Sequence, residues 1–487
     1  FDFKTNKALI ARDPHGVKPL YYIQQRNSFL FSSEIRAIEK FSEKKVSKEN
    51  LATLLTLRYN PSPYTLFEDV KKVRPGHNVL IDFSQSNISI VHSSYVKNST
   101  DKYKGSFHSA VGDFSRELEA AVNRQLMSDV EVGVLLSGGV DSAVVAALAQ
   151  KQLNYKMKAF TVGFKGQDEN NEIDDAARSA ELLGLDHHYV KIGFDDFIGT
   201  LKKCNSIVEE PIATTSHIPM YFLSELASQH VKVVLSGQGA DEPLGGYTRY
   251  QGEYLHHLLP KFLLKGGVSF LKLLAFKNES LNRGLSSLAE HNDVTRFIKA
   301  YSIFSNEEIL KLIGISENRA STLVDYLYNS LDCKNICNSV ARMMKIDARA
   351  NLSDDLLMYS DKITMNFSLE NRVPLLDLDL VRFIESLPLK YRIKLGKRKI
   401  ILKEAAKNII PTEIINRPKK GFKSPTDIWF KTNIEEIKEL LLSSKSEFSS
   451  FFSQKAVKVI LDKHVAGYNK EKQIFLLLSL YFWFQKY

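Results

Sequence analysis

Apolar and polar residues alternate in five short runs near the start of the chain: ALIARD (8–13), PLYYIQQ (19–25), SFLFSS (28–33), HNVLIDF (77–83) and ISIVHSS (88–94). A period of two is the mark of a half-buried strand, so residues 1–92 read as a β-rich unit. Within it, residues 48–59 change to helical spacing (Leu51, Leu54, Leu55, Leu57) and stop before Pro61-Ser62-Pro63. The polar stretch 93–108 reads as a linker. A helix with Val111, Phe114, Leu118 and Val122 on one face then leads into the continuous apolar run 130–136, a buried strand. Further buried strands are predicted at 158–164, 188–192 and 231–235. Helical patterns such as 176–183 and 220–227 lie between them. Strands that alternate with helices imply a doubly wound parallel sheet covered on both faces. From about residue 251 strand signals vanish and helical periodicity takes over. The expected architecture is therefore a β-rich unit (1–92), a linker (93–108) and an α/β core with a helical C-terminal region (109–487).

The chain has 487 residues, 44% hydrophobic and 25% charged, which excludes disorder and small disulfide scaffolds. No stretch supplies the ~20 apolar residues a membrane span needs; residues 262–276 and 474–484 read as core or amphipathic helix. The net charge of +10 is small for the length and does not by itself indicate nucleic acid. The three cysteines cannot form a disulfide framework and fit a reducing, cytoplasmic setting. Cys333 and Cys337, four apart, would share a helix face as buried small hydrophobes. The start, FDFKTNKALIARDP, has no signal-peptide pattern and reads as strand interior, so the sequence as written is expected to begin inside a domain.

Chemistry concentrates in VGVLLSGGVDSAVVAALA (132–149). A buried strand ends at Leu136, loop 137–142 follows, and a helix begins. Gly138 and Gly139 let backbone approach an anion, and Ser137 and Ser142 add hydroxyl donors at the positive end of the helix dipole. The Lys-Ser/Thr ending of a Walker loop is absent. Asp141 would repel a bare phosphate, but it belongs in such a nest if it holds Mg²⁺ bridging the phosphate oxygens. A second loop, LSGQGADEPLGGY (235–247), follows another buried strand. In doubly wound sheets it would lie beside the first, making Asp241 the second Mg²⁺ ligand and letting Ser236 and Gly237 contact nucleotide.

The segment SGGVDS matches the PP-loop of the ATP pyrophosphatase superfamily (adenine nucleotide alpha hydrolase-like), whose reaction is adenylation. With LSGQGADEPLGGY, DKITMNFSLENRVPLLD (361–377) and NRPKKGF (416–422), the chain resembles the glutamine-hydrolysing asparagine synthase family, an N-terminally shortened member of it. ARDPHGVKPLYY (11–22) and FSSEIRAI (31–38) resemble the tail of its N-terminal-nucleophile glutaminase domain. The resemblance implies that loop 137–142 binds the pyrophosphate of ATP, with Asp141 and Asp241 on Mg²⁺. Leu136, Val162, Ser236 and Gly237 would make backbone contacts to the nucleotide. Lys419 would stabilise charge on the phosphate during adenylation, a use of electrostatic preorganisation. Glu370, Arg372 and Asp377 would line the acceptor side.

The implied partners are ATP, aspartate or another carboxylate acceptor, and ammonia from glutamine. Neither nucleic acid nor membrane is expected, and a homodimer is compatible with the family. The family's N-terminal cysteine nucleophile is absent from the sequence as written, so this polypeptide is expected to hydrolyse no glutamine. Gln238 stands where asparagine-forming members carry an acid and β-lactam-forming relatives a tyrosine. It can orient a carboxylate or ammonia but cannot be a general base. This leaves a second expectation, a ligase amidating or cyclising a different carboxylate: a sugar acid, a peptide or a β-lactam precursor. A tRNA-modifying PP-loop protein would leave the N-terminal resemblance unexplained, and a non-catalytic homologue would not need Asp141, Asp241 and Lys419.

Overall fold

The computed structural model describes residues 1–26, 28–84, 88–96, 102–166, 172–259, 279–330, 333–418, 424–444 and 446–487. The N-terminal alternation forms strands β1 (Lys7–Ala11), β2 (Tyr21–Gln25), β3 (Ser28–Ser32), β4 (Val70–Lys72), β5 (His77–Asp82) and β6 (Ser89–Ser94). They make two antiparallel sheets, ordered β1-β5-β6 and β3-β2-β4. Ile10, Val79 and Ile81 of the first sheet pack in one cluster with Tyr22 of the second. Tyr21 and Ile23, pointing the other way, join a large core with helix Lys48–Leu57 and the C-terminal helix Glu471–Phe484. That last helix is buried on nearly every side, which accounts for its unbroken apolar run. Among the described residues no helix is long and apolar enough to cross a membrane. Residues 262–276 lie outside them.

The central sheet contains β7 (Val132–Leu135), β8 (Lys158–Phe164), β9 (Asp186–Ile192), β10 (Val233–Leu235) and β11 (Glu370–Arg372), in the order β11-β10-β7-β8-β9 with every pairing parallel. Alternate residues face opposite layers. Val132, Val134, Val233 and Leu235 pack with helices Phe107–Gln125, Val140–Gln152 and Ile400–Ala406. Leu135, Phe160, Val162 and Val234 pack with helices His217–Ser228 and Met358–Asn366. Helices therefore cover both faces, as the strand–helix alternation predicts.

Two expectations need correction. Strand structure does not end at residue 251: β11 completes the sheet, and its polar sequence Glu-Asn-Arg carries no apolar period because pairing with β10 defines it. Cys333 and Cys337 do not share a helix face. Cys333 is buried in a single 3₁₀ turn (Cys333–Asn335), whereas Cys337 is exposed beyond it.

Candidate active site

The chain order reverses between β7 and β10: from β7 the sheet grows outward through β8 and β9, and from β10 through β11. A crevice opens at the carboxyl ends of strands at such a switch point. The loops 137–142 and 236–241 leave the sheet at this crevice. Ser142 Oγ accepts the Ser137 N–H at 3.1 Å and lies 3.0 Å from Ser137 Oγ, and Gly139 N–H donates to Ser137 Oγ at 3.3 Å. The hydroxyls thus brace the first loop across its own mouth. The second loop is tied to β11 by the Ser236 N–H, which donates to the Arg372 carbonyl at 2.9 Å.

The loops touch through backbone. A Cβ on Gly237 would stand 2.6 Å from Ser142 N and 2.9 Å from the Asp141 carbonyl carbon. Only a residue without a side chain permits that approach.

A cleft of about 580 Å³ results, lined by Leu136, loop 137–142, Val162, 236–239 and Asp241. Each predicted nucleotide contact is on its wall: Leu136, Ser137, Gly138, Gly139, Asp141, Ser142, Val162, Ser236 and Gly237, with Gln238 beside them. The Gln238 Oε1 and Ser236 Oγ atoms are buried without a hydrogen-bond partner among the described residues.

Asp141, in the first turn of helix Val140–Gln152, and Asp241, opening helix Asp241–Leu244, meet at one point. Lys399 Nζ lies 2.5 Å from Asp141 Oδ2 and 2.7 Å from Asp241 Oδ1. Burial opposes the ammonium charge, but the two carboxylates outweigh it and hold its pKa above the ordinary lysine range. Gly246 makes room for this meeting: a Cβ there would lie 1.8 Å from Asp241 Oδ1 and 2.3 Å from Lys399 Cε. The donor set fits a hard divalent cation, since two carboxylates converge and Asp141 Oδ1 is buried with no hydrogen-bond partner among the described residues. Burial and the neighbouring Asp241 push the Glu242 carboxyl up to about 7.

Sequence reasoning missed Lys399, together with Arg398, Lys403 and Arg417 on the cleft wall. The mark that sets Lys399 apart is visible only in the folded chain. Lys399 is the N-cap of helix Ile400–Ala406, where the helix dipole disfavours a cation, and its φ of 53° is left-handed, uncommon outside glycine.

Glu370, Arg372 and Asp377 are not among the lining residues. Arg372 pairs with Glu370 at 3.0 Å and donates to the Gln125 and Met127 carbonyls at 2.8 Å each, closing the C-terminal end of helix Phe107–Gln125. Its bond lowers the Glu370 pKa. Asp377 accepts from Arg124 at 2.6 and 2.8 Å and caps helix Leu378–Ser386 through the Asp379 and Leu380 N–H groups. The segment still reaches the site indirectly, because Leu376 sits where a Gly239 side chain would stand. Lys419 lies outside the described residues.

A cradle of this kind, at the reversal of a doubly wound sheet, places the chain in the PP-loop class of nucleotide-binding α/β proteins. Comparison with known proteins carries this further. The family model for asparagine synthase matches residues 113–485, and the one for a glutamine amidotransferase domain matches residues 1–95. The chain is 30% identical over 484 residues to the glutamine-hydrolyzing asparagine synthetase 1 of Bacillus subtilis (strain 168), spanning 97% of this chain and 74% of that protein. It is likewise 30% identical over 509 residues to a putative glutamine-hydrolyzing asparagine synthetase of Mycobacterium bovis, spanning 99% and 75%. It is 26% identical over 521 residues to the amidase chry2 of Gibberella zeae, spanning 98% and 76%. The chain belongs to the asparagine synthase family, a family of ATP-dependent amidotransferases that form carbon–nitrogen bonds.

Proposed function

We propose that this chain adenylates the side-chain carboxylate of aspartate and converts it to the amide with ammonia. One observation carries the reading: carboxylates from two neighbouring strand tips, Asp141 and Asp241, reach a single cation in the cleft bounded by loop 137–142. That constellation suits a nucleotide that departs from its diphosphate, and a free carboxylate needs such activation because it has no adequate leaving group.

Loop 137–142 binds the β- and γ-phosphates through backbone N–H groups and the Ser137 and Ser142 hydroxyls. Leu136, Val162, Ser236 and Gly237 seat the rest of the nucleotide by backbone. Mg²⁺, held by Asp141 and Asp241, supplies charge neutralisation at the pyrophosphate oxygens when bound. An acceptor carboxylate oxygen bonds to the α-phosphorus while the bond to the bridging oxygen breaks, so pyrophosphate leaves with the electron pair. Lys419, by its place in the NRPKKGF motif, supplies positive charge to the α-phosphate. The ammonia lone pair then bonds to the acyl carbon, AMP departs, and the nitrogen releases a proton. Gln238 orients the incoming groups by hydrogen bonds and moves no proton. Glu370, Arg372 and Asp377 serve the acceptor side by fixing the segment behind Gln238.

With ATP, MgCl₂, aspartate and an ammonium salt, the expected products are AMP, pyrophosphate and asparagine. Release of ADP would overturn the reading. The neutral Gln238, and the amidase name of the Gibberella zeae relative, favour a second one: the same adenylation with a different carboxylate. AMP production that ignores aspartate and responds to another acid would select it.

A further inference from the structure

We infer that the Lys399 ammonium occupies the divalent-cation seat in the nucleotide-free protein and yields it only when phosphates arrive to take the ammonium over. The inference deepens the adenylation reading and rests on its assignment of Mg²⁺ to Asp141 and Asp241.

Lys399 Nζ contacts one oxygen of each aspartate, at 2.5 and 2.7 Å, and its side chain is only 5% exposed. A divalent ion bound to the same oxygens would stand within a few ångströms of this ammonium in a poorly solvated cleft, where like charges repel strongly. The two cations therefore exclude each other. The alternation is built into the backbone. The left-handed Lys399, whose N–H donates to the Leu244 carbonyl at 3.3 Å, aims its side chain at the two acids, and Gly246 leaves the gap through which it passes. The flexible lysine stem allows a swing that a guanidinium fork would not. The nearest sink for the displaced charge is the anion cradle of loop 137–142, whose Asp141 already touches the ammonium. Asp141 Oδ1, buried and without a hydrogen-bond partner among the described residues, is the atom this exchange leaves for a second contact. Arg398, which donates to the Gly246 carbonyl at 3.2 Å, and Lys403 stay on the cleft wall and keep the region cationic once Lys399 has moved. Metal therefore enters with the nucleotide and not before it, and the empty site resists divalent ions.

The test counts bound Mn²⁺ by electron paramagnetic resonance, with no turnover involved. Wild type should show no tight Mn²⁺ site alone and one with α,β-methylene-ATP, which cannot be adenylated through. Lys399→Met should bind Mn²⁺ without nucleotide, at least about tenfold more tightly than wild type, within the usual range of coupling between sites. Lys399→Arg, which keeps the charge, should exclude the metal as wild type does. A tight Mn²⁺ site in nucleotide-free wild type would overturn the exchange whatever the variants do, and would leave the metal assignment standing. Absence of Mn²⁺ from wild type even with the analogue would instead overturn the metal assignment, and the exchange with it.

Discussion

Glu209 is the residue whose loss should loosen the seam between the N-terminal strands and the rest of the chain. It follows helix Phe194–Val208 in a left-handed conformation, φ 66°, and its carboxylate accepts the Ile35 and Arg36 N–H groups at 2.8 Å each. The same carboxylate pairs with Lys362, which is fully buried beneath the Tyr21 ring at 4.5 Å. Glu209→Gln leaves the Lys362 ammonium in the interior, where among the described residues the partly exposed Glu34 at 4.0 Å is its remaining ion-pair partner. Breaking a buried pair from one side costs roughly 3–5 kcal/mol, and the residual help from Glu34 places this case near 3. Lys362→Met should cost a similar amount. The double variant should recover most of it, because two neutral side chains leave no orphan charge. Trp483 reports the transition directly, since its Nε1–H donates to the Glu209 carbonyl at 2.8 Å. Urea titrations followed by its emission, against a Trp429→Phe background, supply the three differences. Burial pushes the Glu209 carboxyl up, but the Lys362 charge and the hydrogen bonds outweigh it and hold the pKa below the usual range. A depressed folded pKa gives stability that is present above the unfolded value, about 4.3, and is lost as pH falls through the folded one. Glu209→Gln should therefore flatten the acid limb of the stability curve. A single-variant loss below about 1 kcal/mol, or a double variant no better than either single one, would refute the reasoning.

Other consequences follow from the same contacts. Gly237→Ala drives a methyl to within 2.6 Å of Ser142 N, so the loops must part; ATP-analogue affinity should fall at least about tenfold while the melting temperature falls only a few degrees. Isothermal titration checks it, and unchanged affinity would mean the two loops do not form one cradle. Asp355 is buried with a carboxyl pushed up to about 6 by burial, partly offset by the Thr214 hydroxyl and by Arg58. A raised folded pKa gives stability that is full below about 4 and lost as pH rises through 6, a swing of roughly 3 kcal/mol that Asp355→Asn should abolish in thermal melts at pH 4 to 8. Gln238→Glu should raise turnover with aspartate if the neutral side chain is what limits this acceptor; an unchanged rate makes the position indifferent to the reaction.

The legible part of this molecule was the part that repeats a period or a fixed loop. Alternation exposed β1, β2, β3, β5 and β6, and continuous apolar runs exposed β7, β8 and β10, because burial on one face or two leaves a local trace. β11 left none: Glu370-Asn371-Arg372 is polar and is a strand only through its neighbour β10. The cleft wall was legible for a related reason, since SGGVDS and SGQGAD carry their geometry in consecutive glycines, serines and acids. Lys399 could not be read the same way. It lies 258 positions from Asp141, and only the folded chain, with Gly246 between them, shows that one ammonium answers two acids. The ExRVPLLD residues show the limit of a motif: the resemblance implied a place on the acceptor side, and only the folded chain shows that Arg372 and Asp377 are bonded to the ends of two helices.

The origin of the oxygen in the released AMP tests the central claim most directly. With an acceptor labelled with ¹⁸O in its carboxylate, ATP, Mg²⁺ and ammonium, mass spectrometry should find one ¹⁸O in AMP and none in pyrophosphate. Label in inorganic phosphate, or AMP without label, would contradict the transfer of the nucleotide to a carboxylate between these two strand tips.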